Sequence, residues 1–220
     1  DRGGEGGQHG TGIVDHRGGM TNFLVEPDMP GFSVSRVEDK MGLHGSQTAQ
    51  LVFEDVEVPR ENMAGEEGNG FRHLMGIFDG SRIVVGAAGV GVAQGALDLA
   101  VQYAKERVQF GQAIAEFQGI QFMLADLAMQ VESARALTYK AAALFDAGEK
   151  EAAIPLASMS KCLGSDAGMR VAMEAVQIFA GYGYMRDYPV ERFMRDAKAI
   201  QIFEGTNQIQ RLVIARHLLR

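Results

Sequence analysis

The sequence predicts a mainly α-helical protein: an antiparallel, up-down four-helix-type bundle preceded by a small partial β domain. Beyond Gly70, apolar residues recur at helical spacing through nearly the whole chain, and the connections between these segments are short. Before Gly70, short segments with alternating apolar and polar residues end at prolines, as strands do. A glycine-rich stretch over 62–70 separates the two textures, so we expect domains at 1–62 and 63–220.

Composition limits the classes of function. The chain has 220 residues, 46% of them hydrophobic, and a formal net charge of -7, which disfavours non-specific binding to nucleic acid or anionic membranes. The single cysteine, Cys162, excludes an intrachain disulfide and a multi-cysteine metal centre, and we predict no metal site. Its helical surroundings favour a small buried residue. We see no apolar run approaching the length of a membrane span and no signal peptide, so we expect a soluble, cytoplasmic protein.

The β part is short. Residues 1–19 are rich in glycine and predict a mobile loop, in which His9 and His16 are expected to be solvated. Strands are predicted over 21–26, 32–37 and 51–58, the first and last of them bounded by prolines.

The helical part contains three long predicted helices followed by two shorter ones. The predicted helices cover 71–106, 117–146, 151–179, 190–202 and 209–218. Six glycines fall inside the first helix, and four of them follow closely on one another, at Gly86, Gly89, Gly91 and Gly95. No strand precedes Gly89-Val90-Gly91, so this is not a dinucleotide-binding fingerprint. Small residues in a long apolar helix indicate close packing against a neighbouring helix instead.

The helical pattern is interrupted near the C-terminus, at Glu204-Gly205-Thr206. Gly205 disfavours helix, and Thr206 with Asn207 are natural N-cap residues for the last helix. Glu204 is therefore expected at a break between two helices. It lies either in an ordinary turn, as a solvated side chain, or at a position from which a carboxylate is aimed into a cavity.

Five collinear segments together resemble the acyl-CoA dehydrogenase family, from roughly Gly31 to the end of the chain. They are Phe203–Arg211 (FEGTNQIQR), Gln177–Gly183 (QIFAGYG), Glu106–Gly111 (ERVQFG), Tyr188–Glu191 with Met194–Lys198 (YPVE and MRDAK) and Phe53–Pro59 (FEDVEVP). The resemblance implies that the predicted strands belong to the second half of a β middle domain. The family's N-terminal half would precede Asp1, so we expect a truncated or split version of the family's chain.

The resemblance implies flavin-dependent α,β-dehydrogenation of an acyl-CoA thioester. In the family a carboxylate removes the α-proton while the β-hydride passes to FAD, and backbone and flavin donors hold the thioester oxygen. Glu204 matches the base, and Phe203 and Gly205 match residues lining the acyl and thioester path. An electron-transfer flavoprotein or similar acceptor and a homotetramer built as a dimer of dimers are also implied.

The cofactor contacts implied by the resemblance lie in three of these segments and at Gln118. Arg107 would reach the FAD pyrophosphate of a neighbouring subunit, as a charge-assisted contact. The full implied set is Arg107, Gln109, Phe110, Gln118, Gln177, Ile178, Gly181, Thr206 and Gln208. Gln109 stands where the family usually has Thr, and Ala180 where Gly is common.

One family variation concerns the residue before Arg82. Some members carry their base there, but Ser81 cannot serve as one, so Glu204 is the sole candidate. Asp79 and Arg82 match positions that contact the substrate, and they equally fit an i, i+3 ion pair on a helix surface.

Two other functions stay open from the sequence. An acyl-CoA oxidase or related flavoprotein that uses molecular oxygen would share these residues. An inactive, flavin-free helical assembly module would share only the bundle.

Overall fold

A computed structural model describes residues 19–220. The predictions made for the first residues of the chain, including His9 and His16, lie outside the described residues. Contacts between Cα atoms divide the chain into two compact units, whose described residues are 19–33 with 52–75 and 34–51 with 76–220. These limits differ from residue 62, and the division into domains at 1–62 and 63–220 remains a prediction.

The strand predicted over 32–37 is confirmed, and the other two predicted strands are shorter than expected. The strands are β1 (Asn22–Phe23), β2 (Phe32–Val37), β3 (Ala49–Phe53) and β4 (Met63–Ala64). β1 pairs antiparallel with β4, and β2 pairs with β3. The predictions of strands over 21–26 and 51–58 are wrong in extent. The third strand ends early because Asp55 adopts a left-handed backbone conformation with φ 51°, which a continuous strand does not tolerate.

Five α-helices in the described region confirm the mainly α fold. They are α1 (Gly70–Glu106), α2 (Gln118–Asp146), α3 (Lys150–Phe179), α4 (Val190–Ile200) and α5 (Asn207–Leu218). Each agrees with its predicted span to within two residues. A short hairpin that the sequence did not predict follows α1, formed by β5 (Val108–Gln109) and β6 (Gln112–Ala113).

The core of the bundle is built mainly from small residues. Ala93, Ala96 and Ala100 of α1 are fully buried in one cluster with Val131 of α2 and Val171 of α3. At one end, the Tyr103 and Phe179 rings stack with their centroids 3.9 Å apart. Alanine at the contact points lets helix axes approach closely, so backbone as well as side chains forms the interior.

Close approach is most pronounced between α1 and α3. A Cβ at Gly89 would overlap the backbone of Gly164 and lie 2.7 Å from Ser165 N, and one at Gly86 would overlap Ser160. At Gly95 a Cβ would lie 2.8 Å from the Phe193 ring. The packing role predicted for these glycines is confirmed. For Gly91 it is wrong, because nothing lies within 4 Å of its added Cβ.

The apolar character of α1 requires a correction. Its most apolar 18-residue window has a mean hydropathy of 1.6, so by length and composition this helix could cross a membrane, contrary to the expectation from sequence. Half of that window is buried inside the protein. Three fully buried alanines of the core cluster, Ala93, Ala96 and Ala100, lie on this helix, and α1 is therefore a core helix of the bundle.

Candidate functional site

Glu204 lies in the turn that joins α4 to α5. α4 ends at Ile200, and α5 begins at Asn207 with Thr206 as its N-cap, whose hydroxyl accepts a hydrogen bond from Ile209 N at 3.4 Å. This confirms the predicted helix break and its cap. Glu204 has φ 56° and Gly205 has φ 84°. A left-handed conformation is costly for a residue with a Cβ, and such strain is concentrated at functional sites.

Gln210 of α5 holds the strained turn through its side-chain amide. Gln210 is fully buried, and its Nε2 donates to the carbonyl oxygens of Glu204 at 3.1 Å and of Gly205 at 3.0 Å. A Cβ at Gly205 would lie 2.8 Å from this nitrogen. Gly205 is therefore required both by its positive φ and by the approach of the Gln210 amide.

The Glu204 carboxylate is half-buried and faces α1. Ser81 Oγ donates to Glu204 Oε2 at 2.7 Å. Within residues 19–220, no other side chain donates to this carboxylate. Sequence reasoning excluded Ser81 as a base. In the structure its hydroxyl is instead the hydrogen-bond donor to Glu204. The two residues are 123 positions apart, so no local pattern could have paired them.

Asp79 and Arg82 form the expected i, i+3 ion pair on α1, with Arg82 Nη1 to Asp79 Oδ1 at 3.4 Å. The pair is not on a helix surface, because Arg82 is only 7% exposed. Burial raises the pKa of Asp79, while Arg82 and Lys150 act in the opposite direction. Nε of Arg82 has no partner among the described residues. A buried donor without a partner is unusual, because buried polar groups in folded proteins are normally hydrogen-bonded.

A buried polar cluster supports the start of α5 from α3. Lys161 is fully buried, and its Nζ donates to Asn207 Oδ1 at 2.8 Å. Asn207 Nδ2 donates in turn to Ser165 Oγ at 2.9 Å and to Asp166 Oδ1 at 2.8 Å. Burial lowers the pKa of Lys161. Sequence reasoning missed this lysine. The available signal was a charged residue among the small and apolar residues of α3.

Cys162 lies beside that cluster. It is buried, as predicted, with its Sγ 3.4 Å from Asn207 O. Burial raises the pKa of the Cys162 thiol, which keeps it protonated and unreactive.

A second group of predicted residues surrounds a cavity of about 420 Å³, where the end of α1 and the hairpin meet the end of α3. Its lining includes four of the predicted cofactor residues, namely Arg107, Gln109, Ile178 and Gly181. The Arg107 guanidinium lies 5.0 Å from the centroid of the Tyr182 ring, a cation–π contact that sequence reasoning missed. The cavity therefore combines one cation, an aromatic ring and an apolar wall.

The remaining predicted residues lie outside this cavity. Phe110 has φ 54° and is 94% exposed, with its ring edge-on to Phe117 at 6.2 Å between centroids. Gln118, Gln177 and Gln208 are exposed, and Phe203 is 41% exposed. Their roles in binding remain predictions.

Known proteins resemble this chain over most of its length. The family profile described as "Acyl-CoA dehydrogenase, C-terminal domain" matches residues 68–219. A short-chain-specific acyl-CoA dehydrogenase from Megasphaera elsdenii is 53% identical over 205 residues, which cover 92% of this chain and 52% of that protein. This chain thus spans about half the length of the curated relatives it matches.

Solved structures give the same result. Butyryl-CoA dehydrogenase from Megasphaera elsdenii superposes with a TM-score of 0.87 at 52% identity, covering 92% of this chain and 52% of the other. A chain in a structure of the electron transferring flavoprotein of Acidaminococcus fermentans superposes with a TM-score of 0.87 at 53% identity, covering 91% and 52%. The profile covers the helical bundle, and these relatives align over nine-tenths of the sequence. The chain belongs to the acyl-CoA dehydrogenase family.

Proposed function

We propose that this chain is the C-terminal part of a flavin-dependent acyl-CoA dehydrogenase that converts an acyl-CoA thioester to the trans-2-enoyl-CoA. The observation that carries the proposal is the Glu204 carboxylate, presented at a strained helix break and held by a single donor on α1. A carboxylate fixed in this way is suited to removing one defined proton.

The chemistry of this chain centres on the turn between α4 and α5. Glu204 takes the α-proton of the thioester, and the electron pair of that C–H bond forms the new double bond as the β-hydride leaves. The backbone N–H groups of Glu204, Gly205 and Thr206 donate to no acceptor within the described part of the chain. The N–H of Glu204 would donate to the thioester oxygen, on which negative charge develops as the α-proton departs.

FAD is the cofactor that this reaction needs, and the cavity beside Arg107 fits part of it. When bound, FAD supplies the acceptor for the hydride that leaves the β-carbon. Arg107 would bind a phosphate of the dinucleotide, and the apolar wall beside Gly181 would cover its uncharged part. Thr206 and Gln208, at the start of α5, would offer a second contact for an anionic group.

Arg107 gives a direct test of the cofactor site. Arg107→Ala is expected to weaken FAD binding by roughly tenfold or more, because a charge-assisted contact to phosphate is worth about 1.5–3 kcal/mol. The measurement is a titration of apoprotein with FAD, followed by flavin fluorescence. Arg186→Ala removes another arginine that does not line this cavity and serves as the control. Equal FAD affinity in wild type and Arg107→Ala would contradict the assignment.

Some of the residues predicted to contact FAD are exposed, which favours an assembly of several copies of the chain. Phe110 and Gln177 are accessible in the single chain, and we propose that they contact FAD bound to a second copy. A homotetramer built as a dimer of dimers and an electron-transfer flavoprotein as electron acceptor complete the proposal.

The function itself is tested with the full-length protein, meaning this chain together with a segment equivalent to the other half of its relatives. Anaerobic addition of butyryl-CoA, chosen from the name of a relative, is expected to bleach the visible flavin absorption and to yield the trans-2-enoyl thioester. An unchanged spectrum with short, long and branched acyl-CoA thioesters would contradict the proposal. Fast reoxidation of the bleached protein by air alone would favour an oxidase instead.

A further inference from the structure

The contact between Ser81 and Glu204 has a geometry that assigns the serine proton. A hydroxyl has one proton to donate. Ser81 Oγ lies 2.7 Å from Glu204 Oε2, but 3.4 Å from the carbonyl oxygen of Phe78 in its own helix. The shorter distance is typical of an O–H donating to a carboxylate, and the longer one is too long for a good hydrogen bond. The proton is therefore directed at Glu204.

The contact leaves the two oxygens of the carboxylate in different states. Oε2 accepts from Ser81, whereas Oε1 has no hydrogen-bond donor among the residues described here. A glutamate side chain rotates about three bonds, and a hydrogen bond to an oxygen at its tip restricts rotation about all three. Oε1 is thus both positioned and free to take a proton.

The two ends of Glu204 are held by different helices. Its backbone carbonyl is held by Gln210 from α5, and its carboxylate by Ser81 from α1. Ser81 lies in the middle of a continuous helix, next to the buried Arg82 and close to the buried Ile83. A side chain on an irregular, left-handed turn is therefore oriented by a donor on a rigid element.

We propose that Ser81 is a positioning residue for the base: its hydroxyl fixes Oε2 of Glu204 so that Oε1 faces the α-carbon of the bound thioester. This inference rests on the proposed function. It predicts that losing the hydroxyl lowers the rate of proton removal and leaves substrate affinity in place, since Ser81 acts through Glu204.

The test compares Ser81→Ala and Ser81→Thr in the full-length, FAD-loaded protein. Anaerobic mixing with increasing butyryl-CoA gives a limiting rate of flavin reduction and a dissociation constant for the substrate. We expect Ser81→Ala to lower the limiting rate by roughly 10- to 100-fold, the scale of a misplaced catalytic group. The dissociation constant should change by less than about twofold, and Ser81→Thr should restore most of the rate because it keeps the hydroxyl.

Ser133→Ala is the matched control, because Ser133 Oγ is exposed on α2 and bonds only its own helix, at Met129 O. It is expected to match the wild type. Should Ser81→Ala fail to hold FAD, Ser81→Cys replaces it, since a thiol is similar in size and a weak donor.

Three results would overturn the positioning role alone: a normal limiting rate in Ser81→Ala, a loss confined to substrate affinity, or a Ser81→Thr variant as slow as Ser81→Ala. A wild-type protein whose flavin stays oxidised with every acyl-CoA would contradict the proposed function, and the positioning role with it. The wild-type measurement therefore separates the two failures.

Discussion

Glu204→Gln is expected to slow flavin reduction by acyl-CoA by about 10³-fold while FAD remains bound, which is within the range for loss of a general base. An amide has nearly the shape of the carboxylate, and its oxygen can still accept the hydrogen bond from Ser81. It cannot take up the α-proton. The limiting rate, measured by anaerobic rapid mixing, should therefore fall much further than substrate affinity.

Glu132→Gln is the control for this change. Glu132 is on α2, its side chain is 69% exposed, and it pairs with Arg135 at 3.1 Å, so its replacement should leave the rate unchanged. If Glu204→Gln keeps a rate within about tenfold of the wild type, the assignment of the base is wrong. Loss of FAD from the variant would show instead that Glu204 supports the cofactor site.

Gly89→Ala is expected to destabilise the helical bundle by about 3 kcal/mol or more, at the upper end of the cost of overpacking. The added methyl group would overlap the backbone of Gly164, which cannot rotate away as a side chain can. α1 would have to move off α3, and the same displacement would separate Ser81 from Glu204. A lower midpoint of thermal unfolding and a lower rate of flavin reduction should therefore appear together.

Gly91→Ala separates packing from helix propensity. Gly91 lies two positions along the same helix, and nothing lies within 4 Å of its added Cβ. Alanine there should stabilise the protein by roughly 0.5–1 kcal/mol, because it restricts the unfolded chain and favours helix. If the two variants unfold at the same temperature, close contact between α1 and α3 does not contribute to stability as argued.

The local features of the sequence predicted much of the fold. Helix limits followed from apolar spacing, and the break at Glu204 followed from Gly205 and the Thr206 cap. The strands were predicted less well: β3 ends at Phe53, before the left-handed Asp55, although the apolar pattern continues to Val58. The left-handed backbone at Asp55 ends the strand even though apolar and polar residues continue to alternate. The alternation of side chains gives no information on backbone conformation at a single residue.

The site depends on contacts that the sequence does not display. The sequence by itself determined which residue types stand at each helix end, because spacing, caps and glycines act over a few positions. Only the tertiary structure decided that Ser81 donates a hydrogen bond to Glu204 and that Lys161 donates one to Asn207. It also decided that Arg107 and Gly181 line one cavity. These pairs are brought together by helices packing at close range, and that packing depends on the fit of whole helix surfaces rather than on any local pattern.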